Sequence, residues 1–245
     1  VLQMFKFFSK LIFFWLLFTS AWAQKQTAVD SIEHTPKAKV TKDTVKNTYL
    51  PSGLRIGTDL LAIVRSKDPS FKGWEVNLDT DFNRYYFVLD YGYWSTNQIL
   101  ENGRYQNEGY YFRLGTDINF LLKDPDRNMF FLGFRYGLSN FNDKLEYQYV
   151  PNKSFPSFSN KVSNGSVGGT WMEITTGIKV KIWAGLWMGY TARLKFAPSI
   201  SSRGELISYD MPGYGIISET PYWGFNYQIF WRFGWRTLPP IKPKD

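Results

Sequence analysis

The sequence contains no cysteine and only one histidine, and both shortages restrict its chemistry. Without cysteine the protein has no disulfide, no thiol nucleophile and no lipid-attachment site, so it is not an acylated lipoprotein. Enzymes that hydrolyse lipids or peptides commonly use histidine as a general base. The single histidine, His34, lies in a polar N-terminal stretch. This argues against histidine-dependent lipase, lipid A deacylase, palmitoyltransferase and omptin-type protease activity.

Long apolar runs are missing after residue 23, so no membrane-spanning helix is expected there. Before that point, Lys6 and Lys10 precede the apolar run 11–18, and Ala21-Trp22-Ala23 offers the small-x-small pattern of a cleavage site. We predict a signal peptide over residues 1–23, with Met4 as the translation start and Gln24 as the first mature residue. An uncleaved N-terminal anchor helix is the alternative.

Large apolar residues are scarce in residues 24–53, which are rich in Lys, Thr, Ala, Val and Asp. Such a stretch cannot bury enough apolar surface to offset the entropy lost on ordering. We therefore predict a flexible periplasmic linker over residues 24–53.

Aromatic residues are abundant, at 19% of the chain, and from Leu54 onwards apolar and polar residues alternate with period two. Successive residues of a strand point to opposite faces, so each stretch has one apolar and one polar face. The alternation predicts eight strands, at about 54–65, 73–82, 84–95, 109–122, 129–140, 170–182, 186–197 and 222–236.

The connections between these strands alternate in length. Short ones lie around Asn83, at 123–128 and at 184–185, and longer ones at 66–72, 96–108, 141–169 and 198–221. Membrane β-barrels have short periplasmic turns and longer outer loops. We predict an all-β protein with an eight-stranded antiparallel up-and-down transmembrane β-barrel over residues 54–237 and a periplasmic tail over 238–245. Both termini are expected in the periplasm, with the barrel in a bacterial outer membrane.

Alternation alone leaves the direction of the apolar face open, because a soluble ligand-binding barrel would turn that face inward. The outward direction is favoured by a polar face with both charge signs and many glycines, and by aromatics near strand ends. An eight-stranded barrel is just wide enough for its own side chains, so its charges are expected to pair. The predicted interior network comprises Arg55, Asp59, Glu75, Asp79, Asp90, Arg113, Asp117, Arg135, Glu173, Arg193 and Arg232. A proton or ion path through this network is the alternative.

Motifs for catalysis or ligand binding are also missing. We find no Walker loop, zinc-ligand spacing or nucleophile elbow. Asp79, Asp81 and Asp90 could hold a metal, but carboxylates on a charge-rich face more often form ion pairs. The net charge of +8 is spread without a like-charged block, so no nucleic-acid partner is expected. We predict a protein that is not an enzyme, with no catalytic, cofactor or metal site.

The long connections contain apolar and aromatic residues that could anchor a partner. The predicted partner-binding residues are Tyr147, Tyr149, Phe155, Phe158, Tyr209, Met211 and Tyr214. In the alternative interpretation strands five to eight extend beyond the membrane and these side chains pack on one another.

The pattern over about residues 50–237 resembles small outer-membrane β-barrel proteins of Bacteroidota that form a family of unknown function. The resemblance rests on the strand pattern and on stretches such as Gly73-Trp74-Glu75-Val76-Asn77 and Phe134-Arg135-Tyr136-Gly137. It implies an accessory subunit of an outer-membrane complex, with the barrel-assembly machinery as a candidate. Expected partners are outer-membrane lipid, lipopolysaccharide and other outer-membrane proteins. The alternatives are a stand-alone surface adhesin, an envelope-stabilising barrel, or a lipid-modifying enzyme that works without histidine.

Two short stretches of the predicted linker also resemble the three-residue O-glycosylation signal of Bacteroidota. They are Asp30-Ser31-Ile32 and Asp43-Thr44-Val45. The resemblance implies sugars on Ser31 and Thr44.

Overall fold

A computed structural model describes residues 50–121, 124, 126–149, 158–200 and 204–236. All of them belong to the compact unit Val45–Asp245. The elements are β1 (Gly53–Asp59), α1 (Leu60–Arg65), β2 (Phe71–Phe82), β3 (Tyr85–Leu100), β4 (Gly103–Asn119), β5 (Met129–Tyr149), β6 (Phe158–Trp183), β7 (Leu186–Ile200), β8 (Asp210–Met211), β9 (Gly215–Ile216) and β10 (Tyr222–Gly234). The predicted signal peptide, most of the linker, the tail, and the proposed sugar sites Ser31 and Thr44 lie outside the described residues.

Eight strands form a closed antiparallel barrel, in the order β1-β10-β7-β6-β5-β4-β3-β2. The ring closes where β1 pairs with β10, from Gly53 opposite Gly234 to Asp59 opposite Gln228. Closure leaves no free edge around the ring. The predicted eight-stranded up-and-down fold is therefore confirmed.

The two ends of the barrel differ, and we call them the turn end and the mouth. The turn end holds Gly53, Gly234 and the tight β2–β3 and β6–β7 turns, in which Asn83 and Ala184 have φ of 65° and 41°. The mouth holds α1, the β3–β4 turn and the connection from β7 to β10.

The first strand is shorter than predicted, because residues 60–65 form helix α1 rather than strand. Asp59 caps this helix: its carboxylate accepts a hydrogen bond from the Leu61 backbone N–H at 3.1 Å. The segment Leu60–Val64 is a continuous apolar run rather than an alternating one, so its pattern does not separate strand from helix. The capping carboxylate favours the helix.

The central strands are longer than predicted. Most of the predicted loops 96–108 and 141–169 is strand. The lengthening of strands five and six agrees with the alternative interpretation, whereas the lengthening of strands three and four was not part of it. Pairing of β6 with β7 ends at Gly169 opposite Ile200, whereas its pairing with β5 continues to Phe158. The ends of β3–β6 therefore rise beyond the ring as a four-stranded projecting sheet, formed by 97–100, 103–106, 144–149 and 158–163.

Among the described residues, no helix is both long and apolar enough to cross a membrane.

Candidate functional site: a filled lumen and a covered mouth

The outer wall of the barrel is apolar and exposed. Its side chains come from alternate strand positions, such as Phe87, Leu114, Phe134 and Phe225, each about half exposed. Many are aromatic and contact one another across strands, as Tyr91 and Phe112 do at a ring-centroid distance of 4.4 Å. In water such a continuous apolar wall would be strongly unfavourable.

The lumen is filled by charged side chains, and the turn end is closed by Asp81. This carboxylate accepts hydrogen bonds from the backbone N–H groups of Ser52 and Gly53, at 2.7 and 3.0 Å. Arg127 and Arg232 lie 3.0 and 3.3 Å from the same carboxylate. The arginines and the carboxylate together seal this end of the lumen.

The next layer towards the mouth contains Asp79 and Asp117. Asp79 pairs with Arg55 at 2.6 Å and with Lys179 at 2.8 Å. Asp117 pairs with Arg135 at 2.6 Å. Buried charges are tolerated only when they are paired and hydrogen-bonded, and these five groups meet that requirement.

The central layer is built on two arginines that share three carboxylates. Arg193 lies 3.1 Å from Asp90 and 2.9 Å from Glu173. Arg113 pairs with Glu75 and lies 3.1 Å from Asp90 and 3.8 Å from Glu173. All five side chains are at most 3% exposed. Each carboxylate therefore faces both cations across the lumen.

Aromatic side chains add hydrogen bonds to the carboxylates of this layer. The Tyr111 hydroxyl donates to Glu75 at 2.6 Å, and the Trp171 indole N–H donates to Glu173 at 2.7 Å. Trp171, Trp187, Phe131 and the neighbouring Phe230 are nearly fully buried in the lumen. The sequence analysis did not assign these four rings to the interior, although their positions have the same strand parity as the charged residues.

The structure brings the eleven predicted interior residues into the lumen, with two qualifications. The Arg232 side chain is 22% exposed, because it lies at the turn end. The Asp59 carboxylate forms no ion pair with a described residue and instead accepts from the Asn226 amide at 2.7 Å. Lys179 belongs to the network but was not in the predicted set. Asp79, Asp81 and Asp90 are spread over separate layers, each bound to its own cations, so they do not form one metal site.

A loop covers the mouth of the barrel, and we call residues 204–221 the plug loop. Met211 and Tyr214 of this loop are fully buried against Tyr111, Phe141, Val167 and Trp171. Lys195 holds the loop from inside the barrel, since its ammonium donates to the carbonyls of Gly213 and Tyr214 at 2.8 Å each. Gly213 has a φ of +83° and lies against the Tyr111 ring, where a side chain would not fit.

Burial of the plug loop corrects part of the partner-binding prediction. Met211 and Tyr214 cannot anchor a partner, because they pack inside the barrel. Tyr147 is half-buried, and its hydroxyl accepts from the Asn160 amide at 3.3 Å.

Other predicted anchors remain exposed at the mouth. Tyr149 and Phe158 are each 54% exposed and contact each other at the tip of the projecting sheet, with ring centroids 5.3 Å apart. Tyr209 is 43% exposed. Phe155 lies outside the described residues.

The space left in the lumen is small. A cavity of about 10 Å³ lies between layers, lined by Asn77, Asp79, Arg135 and Lys179 among others. This volume suits about one water molecule. Within the described ranges, no group of three or more His, Cys, Asp or Glu side chains could hold a metal ion.

The fold and its interior define the class of protein: a small closed antiparallel β-barrel with an apolar outer wall and a lumen filled by ion pairs. A family model described as "Domain of unknown function (DUF6048)" matches residues 4–234. The chain belongs to this family. No curated protein matches the sequence.

Proposed function

We propose that this protein is an outer-membrane β-barrel that acts as a non-enzymatic accessory subunit of an outer-membrane protein complex. The observation that carries the proposal is the combination of an exposed apolar wall with a closed, charge-filled lumen. The wall suits lipid, because the outward positions in the middle of the ring are apolar or small. The filled lumen disfavours transport, since a solute would have to displace several buried ion pairs.

Docking is the function that this architecture supports best. The projecting sheet rises beyond the ring and carries a groove of about 640 Å³, lined by Glu101, Arg104, Glu146, Tyr147, Asn160 and Lys161. Side chains of both charge signs around an aromatic residue suit a protein surface better than lipid or nucleic acid. The proposed occupant is the outward-facing part of another outer-membrane protein. The barrel-assembly machinery is the candidate complex that follows from the family resemblance.

Membrane insertion is tested first. Native membranes are washed with alkaline carbonate and with high salt, then extracted with detergent. The proposal expects release only by detergent, whereas release by carbonate or salt would support a soluble barrel.

Complex formation is tested by affinity purification of the tagged chain from detergent extracts, followed by mass spectrometry. The proposal expects outer-membrane proteins in fixed stoichiometry, and their loss when Tyr149 and Phe158 are both changed to Ser. The matched control is Ile207→Ser, which removes a residue that is 90% exposed on the plug loop. Recovery of the lone chain would overturn the accessory role and favour the adhesin or envelope-stabilising alternatives. A change in lipid A mass spectra on deleting the gene would instead support the lipid-modifying enzyme.

A further inference from the structure

A row of buried polar side chains crosses four strands at the mouth, directly under the plug loop. Thr96 lies opposite Asn107, Asn107 opposite Asp143, and Asp143 opposite Asn164 in the strand registers. All four face inward and are at most 9% exposed. Directly opposite residues in a sheet have Cβ atoms only about 5 Å apart, so the row is a continuous polar shelf.

Three members of this shelf hold the plug loop. The Thr96 hydroxyl donates to the Asp210 carboxylate at 3.2 Å, and the Asn107 amide donates to the Asp210 carbonyl at 2.5 Å. Asn164 donates to the Leu206 carbonyl at 2.8 Å and accepts from the Leu206 N–H at 3.3 Å. The shelf therefore fastens both Leu206 and Asp210 to the barrel.

Asp143 is the exception, because it is buried and no described residue compensates its charge. Its only described partner is the Tyr105 hydroxyl, which donates to Oδ2 at 3.3 Å, and Oδ1 has no partner. The next residue, Lys144, pairs instead with Glu146 and so does not compensate Asp143. An uncompensated buried carboxylate is strongly unfavourable, whereas the carboxylates of the central layer below it each face two arginines.

A second oxygen at the same place is also unpartnered. The Asn107 amide nitrogen is used by the plug loop, which leaves Asn107 Oδ1 buried without a donor. The same Tyr105 hydroxyl lies 3.5 Å from the Asn107 amide nitrogen and 3.3 Å from Asp143. Two buried oxygens that lack donors thus belong to one cross-strand pair.

Asp210 adds a second carboxylate from the plug loop. It is 5% exposed, and its carboxylate accepts from the Thr96 hydroxyl while its backbone carbonyl accepts from the Asn107 amide. Among the described residues, Asp143 and Asn107 thus each present a buried oxygen without a donor, and the Asp210 carbonyl lies 2.5 Å from the Asn107 amide nitrogen.

We propose that the cross-strand pair Asn107–Asp143, together with Asp210 of the plug loop, binds a calcium ion that fastens this loop over the barrel mouth. Carboxylate, amide and backbone oxygens are the ligands that calcium prefers, and calcium tolerates irregular sites better than magnesium does. The Asp143 carboxylate, the Asn107 amide oxygen and the backbone carbonyl of Asp210 would supply the protein ligands, and water would complete the coordination. The proposal does not depend on complex formation, so it can fail or succeed separately from the accessory role.

The test uses the purified full chain in detergent, stripped with a chelator and titrated with calcium chloride by calorimetry. The expected result is one ion per chain, with a dissociation constant on the order of 10⁻⁴–10⁻³ M as in extracellular calcium modules, and weaker binding of magnesium. Calcium should also slow proteolysis and hydrogen exchange of the plug loop. No binding by about 10 mM calcium, tenfold above the weak end of that range, would overturn the proposal.

The variants separate the site from general effects. Asp143→Asn should abolish both the calcium heat and the calcium-dependent protection of the plug loop. The matched control is Glu108→Gln, which removes the same charge from the exposed face of the same strand pair and should bind calcium as the wild type does.

Folding is checked by the heat-modifiable mobility of the barrel on gels. Should Asp143→Asn fail to fold, Asn107→Ala removes a ligand without removing a charge and is expected to weaken calcium binding at least tenfold. Wild-type affinity in a folded Asp143→Asn or Asn107→Ala variant would contradict the assignment.

Discussion

Replacing Arg193 by Met is the sharpest test of the ion-pair layer that fills the barrel. The guanidinium lies within 3.1 Å of Asp90 and 2.9 Å of Glu173, and it also contacts Asn226. After the replacement, Asp90 and Glu173 would retain only Arg113, at 3.1 and 3.8 Å. The substitution therefore leaves three carboxylates with one arginine in a layer that is shielded from bulk solvent.

The expected loss of unfolding free energy is about 3–5 kcal/mol, the usual cost of removing one partner from a buried ion pair. Unfolding is followed by tryptophan fluorescence and gel mobility during urea titration of the protein in lipid vesicles. Combining Arg193→Met with Glu173→Gln should recover part of the loss, because it removes one of the two stranded charges. This double-variant cycle isolates the pairwise contribution.

The control for this experiment is Lys144→Met. Lys144 pairs with Glu146 on the surface of the projecting sheet, where solvent screens the interaction. The free energy of unfolding should stay unchanged. An Arg193→Met variant as stable as this control would refute the conclusion that paired charges support the lumen.

Three further predictions concern other parts of the barrel. Leu114 lies on the wall and is 61% exposed, so Leu114→Arg should cost about 2–4 kcal/mol of folding free energy in bilayers. The control, Ile99→Arg on the projecting sheet, should cost little. Equal effects of the two variants would contradict insertion of the wall in lipid. Gly137→Ala should lower the free energy of unfolding by about 1–3 kcal/mol in urea titrations, because the new Cβ would lie 2.1 Å from the Trp171 ring. Gly165→Ala is the neutral control, because Gly165 has open space around it. Burial raises the pKa of Asp210 in the folded barrel, so this carboxyl binds its proton more tightly in the folded state than in the unfolded state. Its contribution to stability therefore falls as the pH rises from the unfolded-state pKa of about 3.8 through the higher folded-state pKa. Hydrogen exchange of the plug loop without divalent ions should therefore quicken over this pH range in the wild type and change less in Asp210→Asn; identical profiles would contradict this account.

The strand count, the faces and the charged interior could be predicted from the sequence because they depend on local information. A strand turns successive side chains to opposite faces, so Glu75, Asp90, Arg113 and Glu173 are assigned to one surface by parity alone. The same parity would have placed Trp171 in the lumen. An indole ring is mostly apolar, so its sequence position alone does not indicate burial among charged side chains. Burial of Trp171 in the lumen is made favourable by the hydrogen bond from its indole N–H to Glu173.

The features that the sequence did not predict depend on contacts between residues far apart in the chain. The direction of the plug loop, and hence the burial of Met211 and Tyr214, follows from an inner surface formed by Tyr111, Phe141 and Trp171 on three different strands. No local pattern distinguishes a loop that folds back into a barrel from one that extends outward.

The pairing of charges was likewise decided only by the tertiary structure. Sequence alone determined that inward positions carry both signs, because composition and period two suffice for that. Which carboxylate meets which cation depends on the register and closure of the whole ring, which bring Asp79 to Lys179 across one hundred residues of chain. Among the residues that the structure describes, the same closure leaves Asp143 without a cation at the mouth, because the strands place Lys144 on the opposite face.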